Sequence, residues 1–431
     1  MPADNPNVLL ITTDQQQATA LGSLDETFET PNLDRLATSG TQFTGCYSTS
    51  PQCSPSRSSL ITGQYPHQNG MYTLPEWGPG SLTTNVPSIG RVFHSSGYRT
   101  AFIGKWHLGE RSPSEYGWET VKNVHETSNP PDGFSTDKET RDLAVSHLSS
   151  HDDNPFFLTV SFNLPHPPFM EDNRFADWFA WEDVPLPESF EDDLADKPAF
   201  QRDRAADPDE GSLSADDVRD IGYKYRTMTA RVDDHIGHIL DTLSDQGLDD
   251  TTVVVFTSDH GDMQGAHGLN KKGVIAYDEI LRVPLIVRVP GRVSKRDRIP
   301  DLFSNRSIPA TLLDSAGIDA PDPFDTGSVL EAFERTSPPA DERIFFEHKY
   351  AYWGEHPYRG VRTRRWKFVE YFHDEPNELY DMKNDPHELT NLAEDPAHNE
   401  TANRLKQQVH SWWQQTGGDT NEWVEPVNYN H

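Results

Sequence analysis

Two carboxylate-bearing motifs, Asp14-Gln15 and Asp259-His260-Gly261-Asp262, each close a short apolar run. Two more such runs end in Lys105-Trp106-His107 and Pro165-His166-Pro167. Carboxylates, an amide and an imidazole are donors that take up a divalent cation, and Lys beside His suits an oxyanion. A single Asp after a strand is most often a turn former or a helix cap. Four polar endings in one chain point instead to one shared site, because open α/β sheets gather functional groups beyond the carboxyl ends of their strands. A fifth segment, Cys53-Ser54-Pro55-Ser56-Arg57, sets a thiol one turn before a guanidinium if Cys53 opens a helix. The N-terminus of such a helix favours an anion.

The elements that must position these groups follow from hydrophobic patterning. Near-continuous apolar runs at 8–12, 99–103, 156–161, 252–256 and 285–289 predict strands covered on both faces. They alternate with helical patterns, which argues an α/β fold with a largely parallel sheet flanked by helices. The clearest helix spans 215–245, where Val218, Ile221, Tyr225, Met228, Val232 and Ile236 keep one face, Ser214 caps the start and Gly247 the end. Residues 165–210, rich in Pro, Asp and aromatics, read as a long loop near the site. Strand-like runs at 343–347 and 366–371 precede a helix at 399–415. A boundary within 321–341 therefore divides the chain into residues 1–335 and a smaller C-terminal α+β unit, 336–431.

The chain has 431 residues, with 69 Asp+Glu against 37 Lys+Arg and a net charge of -32. Mean hydropathy is -0.73, yet 10 Trp, 14 Tyr and 21 Phe exclude a disordered chain. Only 12 residues are Lys. High acidic charge with little Lys suits solution in concentrated salt and predicts a halophilic source. The same field repels nucleic acid and anionic membranes, so neither is an expected partner. No apolar run reaches the roughly 18 residues of a membrane span, and residues 1–7 are too polar for a secretory signal, so a cytoplasmic location is expected. The two cysteines, Cys46 and Cys53, make no disulfide framework, and Cys53 is the candidate reactive thiol.

The segment from Cys53 to Arg57, with Thr62-Gly63 after it, resembles the C-x-P-S-R signature of the formylglycine-dependent sulfatases. Further matches follow in order: 7–15 (NVLLITTDQ), 104–109 (GKWHLG), 258–262 (SDHGD), His267-Gly268, Arg282-Val283-Pro284 and Glu378-Leu379-Tyr380-Asp381. The resemblance covers nearly the whole chain and implies an alkaline-phosphatase-like core. It implies that a formylglycine-generating enzyme oxidises Cys53 to formylglycine, which hydrates to a gem-diol. One diol oxygen attacks sulfur, and His107 takes the proton from the other as the intermediate collapses. By the same resemblance Arg57 steadies the diol, while Lys105 and Lys272 (Lys271 the alternative) hold the sulfate oxygens. His166 protonates the leaving alcohol, with Lys272 competing for that role, and His267 supports the site from behind.

The implied metal set is Asp14, Gln15, Cys53, Asp259 and His260. Here the chain departs from the commonest family pattern, which has two adjacent Asp at the first motif and Asp-Asn at the second. Calcium is the expectation by family, whereas a nitrogen ligand at His260 brings in Mg²⁺, Mn²⁺ or Zn²⁺. The expected reaction is hydrolysis of an organic sulfate monoester, a sulfated sugar or an aryl sulfate. A phosphonate or phosphate monoester hydrolase on the same scaffold is the alternative, and a non-catalytic binding protein is a third reading if Cys53 stays a thiol. Trp178, Phe179 and Trp181 either stack on a substrate ring or form loop core. Trp353, His348, Lys349 and His356 are placed at the pocket rim by family analogy.

Overall fold

The apolar runs become strands of one eight-stranded sheet. The computed structural model describes residues 5–418 except 79, 125–133, 208–210, 293, 295, 297, 325, 340, 351–355 and 373–374. Across the sheet the strands run Thr120–Asn123, Arg99–Gly104, Phe156–Ser161, Asn7–Thr13, Thr252–Ser258, Leu285–Arg288, Thr41–Phe43 and Arg298–Ile299. The first five are mutually parallel. Leu285–Arg288 is antiparallel to both of its neighbours. The expectation of a largely parallel sheet therefore holds with one reversed strand, whose apolar run reads alike in either direction. Thr41–Phe43, Thr120–Asn123 and Arg298–Ile299 are short edge-side strands with too few residues to show periodicity.

Alternation along each strand feeds two cores. Val8, Leu10, Phe102, Phe157, Val253 and Val255 pack on one face with Leu60, Ile61 and Leu312. Leu9, Ile11, Ile103, Leu158, Val160 and Val254 pack on the other with Met228, Val232, Ile236 and Leu243 of the long helix Ala215–Asp245. Ser214 caps that helix in a capping box with Asp217, as its sequence predicts.

A second sheet of four antiparallel strands in chain order follows: Arg343–His348, Tyr358–Thr363, Trp366–Tyr371 and Glu378–Asp381. One face meets the helix Asn399–Gln415 through Val361, Phe368, Leu379, Leu405 and Val409. The other contributes Phe346, Tyr358 and Val369 to a cluster shared with Tyr47, Met263, Ile275 and Tyr277. The C-terminal sheet thus shares an apolar core with the loops that carry the site. Among the described residues no helix is long and apolar enough to cross a membrane.

Candidate active site

The four strands with polar endings are neighbours in the sheet, and their last residues pair rung by rung: Thr13 with Ser258, Thr12 with Ser161, Gly104 with Ser161. Their endings therefore meet at one edge. The helix Cys53–Thr62 supplies the nucleophile at its first residue. Gln52 is extended, Pro55 sits in the first turn where no N–H is needed, and Gly63 closes the helix at φ 68° with its N–H on Ser59 O. Cys53 is 1% exposed.

Arg57, one turn along, joins the two acidic endings. Its Nε donates to Asp259 Oδ2 at 2.8 Å and its Nη2 to Asp14 Oδ2 at 3.0 Å. Its Nη1 reaches Ser161 Oγ at 2.7 Å and Lys105 O at 3.2 Å. The guanidinium therefore organises the two carboxylates, and its charge also acts on Cys53, the residue whose diol the sequence reading gave it to steady. Lys105 Nζ pairs with Asp14 Oδ2 at 2.7 Å. Burial would raise the Asp14 carboxyl, as would Cys53, but Lys105, His166 and Arg57 hold it well below the usual carboxylate range. Asp259 goes the other way: burial and the nearby Asp14 raise it.

Two nitrogens and a carboxylate oxygen converge on the Cys53 sulfur. Lys272 Nζ lies 3.1 Å away and His260 Nε2 3.2 Å away, with Asp14 Oδ1 at 3.8 Å. Burial alone would push the thiol up, but Lys272 and His260 bring it well below its ordinary value. Lys272, not Lys271, is the lysine at the sulfur; the Lys271 backbone is left-handed and its carbonyl accepts from Met263 N–H.

Each imidazole is oriented by its surroundings. His166 Nδ1 donates to Pro167 O at 2.6 Å, which leaves Nε2 to accept from Lys272 Nζ at 3.1 Å. Burial, with Lys272 beside it, lowers His166 to about 4, so the ring is neutral near pH 7. His107 has φ 53°, and Ser54 Oγ donates to its carbonyl at 2.6 Å. It also borders a cavity of ≈ 1020 Å³ with Glu76, Arg111 and Glu115. His267 is buried, with Nδ1 on Asp192 at 2.7 Å and its ring stacked 3.8 Å from Tyr277.

The residues present fit a divalent cation. One ligand atom from each of Asp14, Cys53, Asp259 and His260 lies within 4.8 Å of the others, all buried. His260 Nδ1 donates to Gly261 O at 2.9 Å, which turns the Nε2 lone pair toward that cluster, the tautomer a metal-bound imidazole takes. Gln15 Oε1 joins from the side, accepting from Lys272 Nζ at 3.1 Å.

Several residues here carry no sequence signal of their own. Ser161 holds Arg57, and Asp137 accepts from Asn163 N, Asn163 Nδ2 and Leu164 N at 2.7–3.1 Å, fixing the loop that bears His166. Only the position of Ser161 at a strand end hints at a role. Trp178 and Phe179 line a separate cavity of ≈ 320 Å³ with Glu26, Glu29 and Arg226, and Trp181 lies under Arg219. His348 is buried and His356 stacks on Phe200; Trp353 lies outside the described residues.

Residues 6–318 match the family model Sulfatase, and residues 265–415 match the model for N-sulphoglucosamine sulphohydrolase, C-terminal. The chain is 31% identical to the uncharacterized sulfatase YidJ of Escherichia coli K12, over 90% of this chain and 83% of that one. BT4656, solved in complex with its substrate D-glucosamine-2-N,6-O-disulfate, superposes at a TM-score of 0.83 with 23% identity, covering 98% and 100% of the two chains. The phosphonate monoester hydrolase of Agrobacterium radiobacter superposes at 0.80 with 23% identity, covering 95% and 96%.

Proposed function

The chain belongs to the sulfatase family and is a sulfuric-ester hydrolase with an alkaline-phosphatase-like fold; from that premise we propose that it cleaves a sulfated sugar or an aryl sulfate through formylglycine at position 53. The observation that carries this reading is the meeting of Lys272, His260 and Asp14 at the Cys53 sulfur, which stands where a nucleophilic oxygen belongs. The match of residues 265–415 to an N-sulphoglucosamine sulphohydrolase model supports a saccharide.

The residues divide the work as follows. Lys105 and Lys272 offer ammonium groups to the sulfate oxygens, and the helix N-terminus at Cys53 adds its N–H groups. Arg57 keeps Asp14 and Asp259 together, ready for a divalent cation held with His260, Gln15 and residue 53. Such a cation would neutralise the carboxylates and draw charge from a sulfate oxygen. Formylglycine would supply a hydrated aldehyde, whose second hydroxyl allows release of sulfate by C–O cleavage. His107, whose backbone carbonyl is tied to Ser54 next to residue 53, takes the proton of that hydroxyl. Lys272 and His166 face the leaving oxygen as a hydrogen-bonded pair, and Lys272 is its charged member.

The nitrogen facing the cluster favours a transition metal, Mn²⁺ or Zn²⁺, over the calcium expected by family. Elemental analysis of purified protein checks this, and calcium alone would overturn it. We also take residues 1–335 as the catalytic part and 336–431 as its C-terminal unit, and the protein as halophilic, cytoplasmic and matured by a formylglycine-generating enzyme. Mass spectrometry of the peptide holding Cys53, from the native host, tests the maturation; an unmodified thiol rejects it and leaves a binding protein. The phosphonate and phosphate alternative is tested by kcat/KM on nitrophenyl sulfate, nitrophenyl phosphate and phenylphosphonate esters. The sulfate ester is expected to lead by at least about tenfold.

A further inference from the structure

Asp262 has no contact with Cys53 among the described hydrogen bonds, yet its carboxylate bears on the site through one side chain. Its Oδ2 accepts from Gln15 Nε2 at 2.5 Å. Its Oδ1 accepts from Gln264 N at 2.9 Å and Gln264 Nε2 at 2.8 Å. The opposite end of the Gln15 amide, Oε1, accepts from Lys272 Nζ at 3.1 Å. That same Nζ stands 3.1 Å from Cys53 Sγ. Asp262, Gln15 and Cys53 are all buried.

A carboxylate only accepts and an ammonium only donates. An amide held between the two has a single orientation, with its NH₂ on Asp262 and its carbonyl oxygen on Lys272. We propose that Asp262 is a positioning residue which, through the Gln15 amide, keeps a carbonyl oxygen facing the nucleophile and aims the Lys272 ammonium at it. This rests on the sulfatase reading and adds to it a rule about this chain. A carboxylate at position 15 would face the Asp262 carboxylate acceptor to acceptor, with no N–H left between them to donate. Gln15 and Asp262 are therefore a matched pair, and each is wrong without the other.

A charge-swap cycle tests this. In Gln15→Glu the two carboxylates collide, and kcat/KM on nitrophenyl sulfate is expected to fall about 100-fold. In Asp262→Asn one side-chain oxygen must serve both Gln15 and Gln264, and a fall of about tenfold is expected. In the double variant the amide now at position 262 donates its NH₂ to the carboxylate now at position 15. The oxygen of that amide still accepts from Gln264, and the second oxygen of the carboxylate meets Lys272. Activity should return to within about tenfold of wild type, and the retained metal after dialysis and the melting temperature should recover with it. Losses that multiply in a folded double variant, or melting temperatures that fall additively, would overturn the proposal. If wild type cleaves no sulfate ester, the functional reading fails, while the melting-temperature cycle still decides the pairing.

Discussion

Arg57 donates to both acidic strand endings, to the Ser161 hydroxyl and to the Lys105 backbone. Lys has one donor centre and cannot fork across these acceptors. Arg57→Lys is expected to lower stability by about 1–3 kcal/mol, since the ammonium keeps the charge but leaves some of these buried acceptors without a donor; urea unfolding near neutral pH measures it. Catalytic loss should exceed the stability loss, because Asp14 and Asp259 separate. The sequence made this Arg visible through its spacing from Cys53, but not its target. Its partners lie 43, 104 and 202 residues away, and no local pattern encodes contacts at that range. His348 offers a second residue-scale test. Burial, with His356 and Arg204 nearby, lowers it from 6.5 to about 3, so the folded state binds its proton less readily than the unfolded state. Its contribution is present above the unfolded value and is lost as pH falls from there toward about 3. The melting temperature of His348→Gln relative to wild type should therefore improve between about pH 7 and about pH 5. No change in that difference would show that the ring takes up its proton equally in the folded and unfolded states.

At the scale of elements, catalysis depends on how closely two strand ends approach. Gly104 ends the strand Arg99–Gly104 at φ 108°, and a Cβ there would lie 1.9 Å from Ser161 O. That carbonyl also accepts from Lys105 N–H at 2.8 Å. Gly104→Ala must push the strands apart just where Lys105 and Ser161 leave for the site. We expect a fall of tenfold or more in kcat/KM, about 10²-fold being typical of a misplacement near 1 Å. A drop in melting temperature should accompany it. The strands themselves were legible: runs predicted at 156–161 and 252–256 fold as Phe156–Ser161 and Thr252–Ser258, since burial on both faces demands continuous apolar residues. The helix Ala215–Asp245 was plain from period and cap, and the helix expected at 399–415 folds as Asn399–Gln415. Strand order and direction were not, because pairing leaves no mark on an apolar run; Leu285–Arg288 shows this. Nor did the run of Pro and Asp at 165–210 reveal the short helix Ala199–Ala205 within it.

At the scale of the molecule, a net charge of -32 surrounds a site built to hold an anion. Arg57, Lys105 and Lys272 are buried there together in a chain with 12 Lys. Surface repulsion falls as the Debye length shrinks from about 10 Å at 0.1 M salt to about 3 Å at 1 M. Activity and melting temperature are both expected to rise from low to molar KCl, and a flat or falling curve would reject the halophilic reading. One more property follows from how the Cys53 helix is enclosed. Asn305 bonds Ser56 across 249 residues, and Glu347 bonds His67 across 280. During synthesis, the stretch around residue 53 leaves the ribosome long before either partner exists. Any enzyme that alters Cys53 thus meets an open peptide early and a sealed one later, so its access is set by the clock of translation.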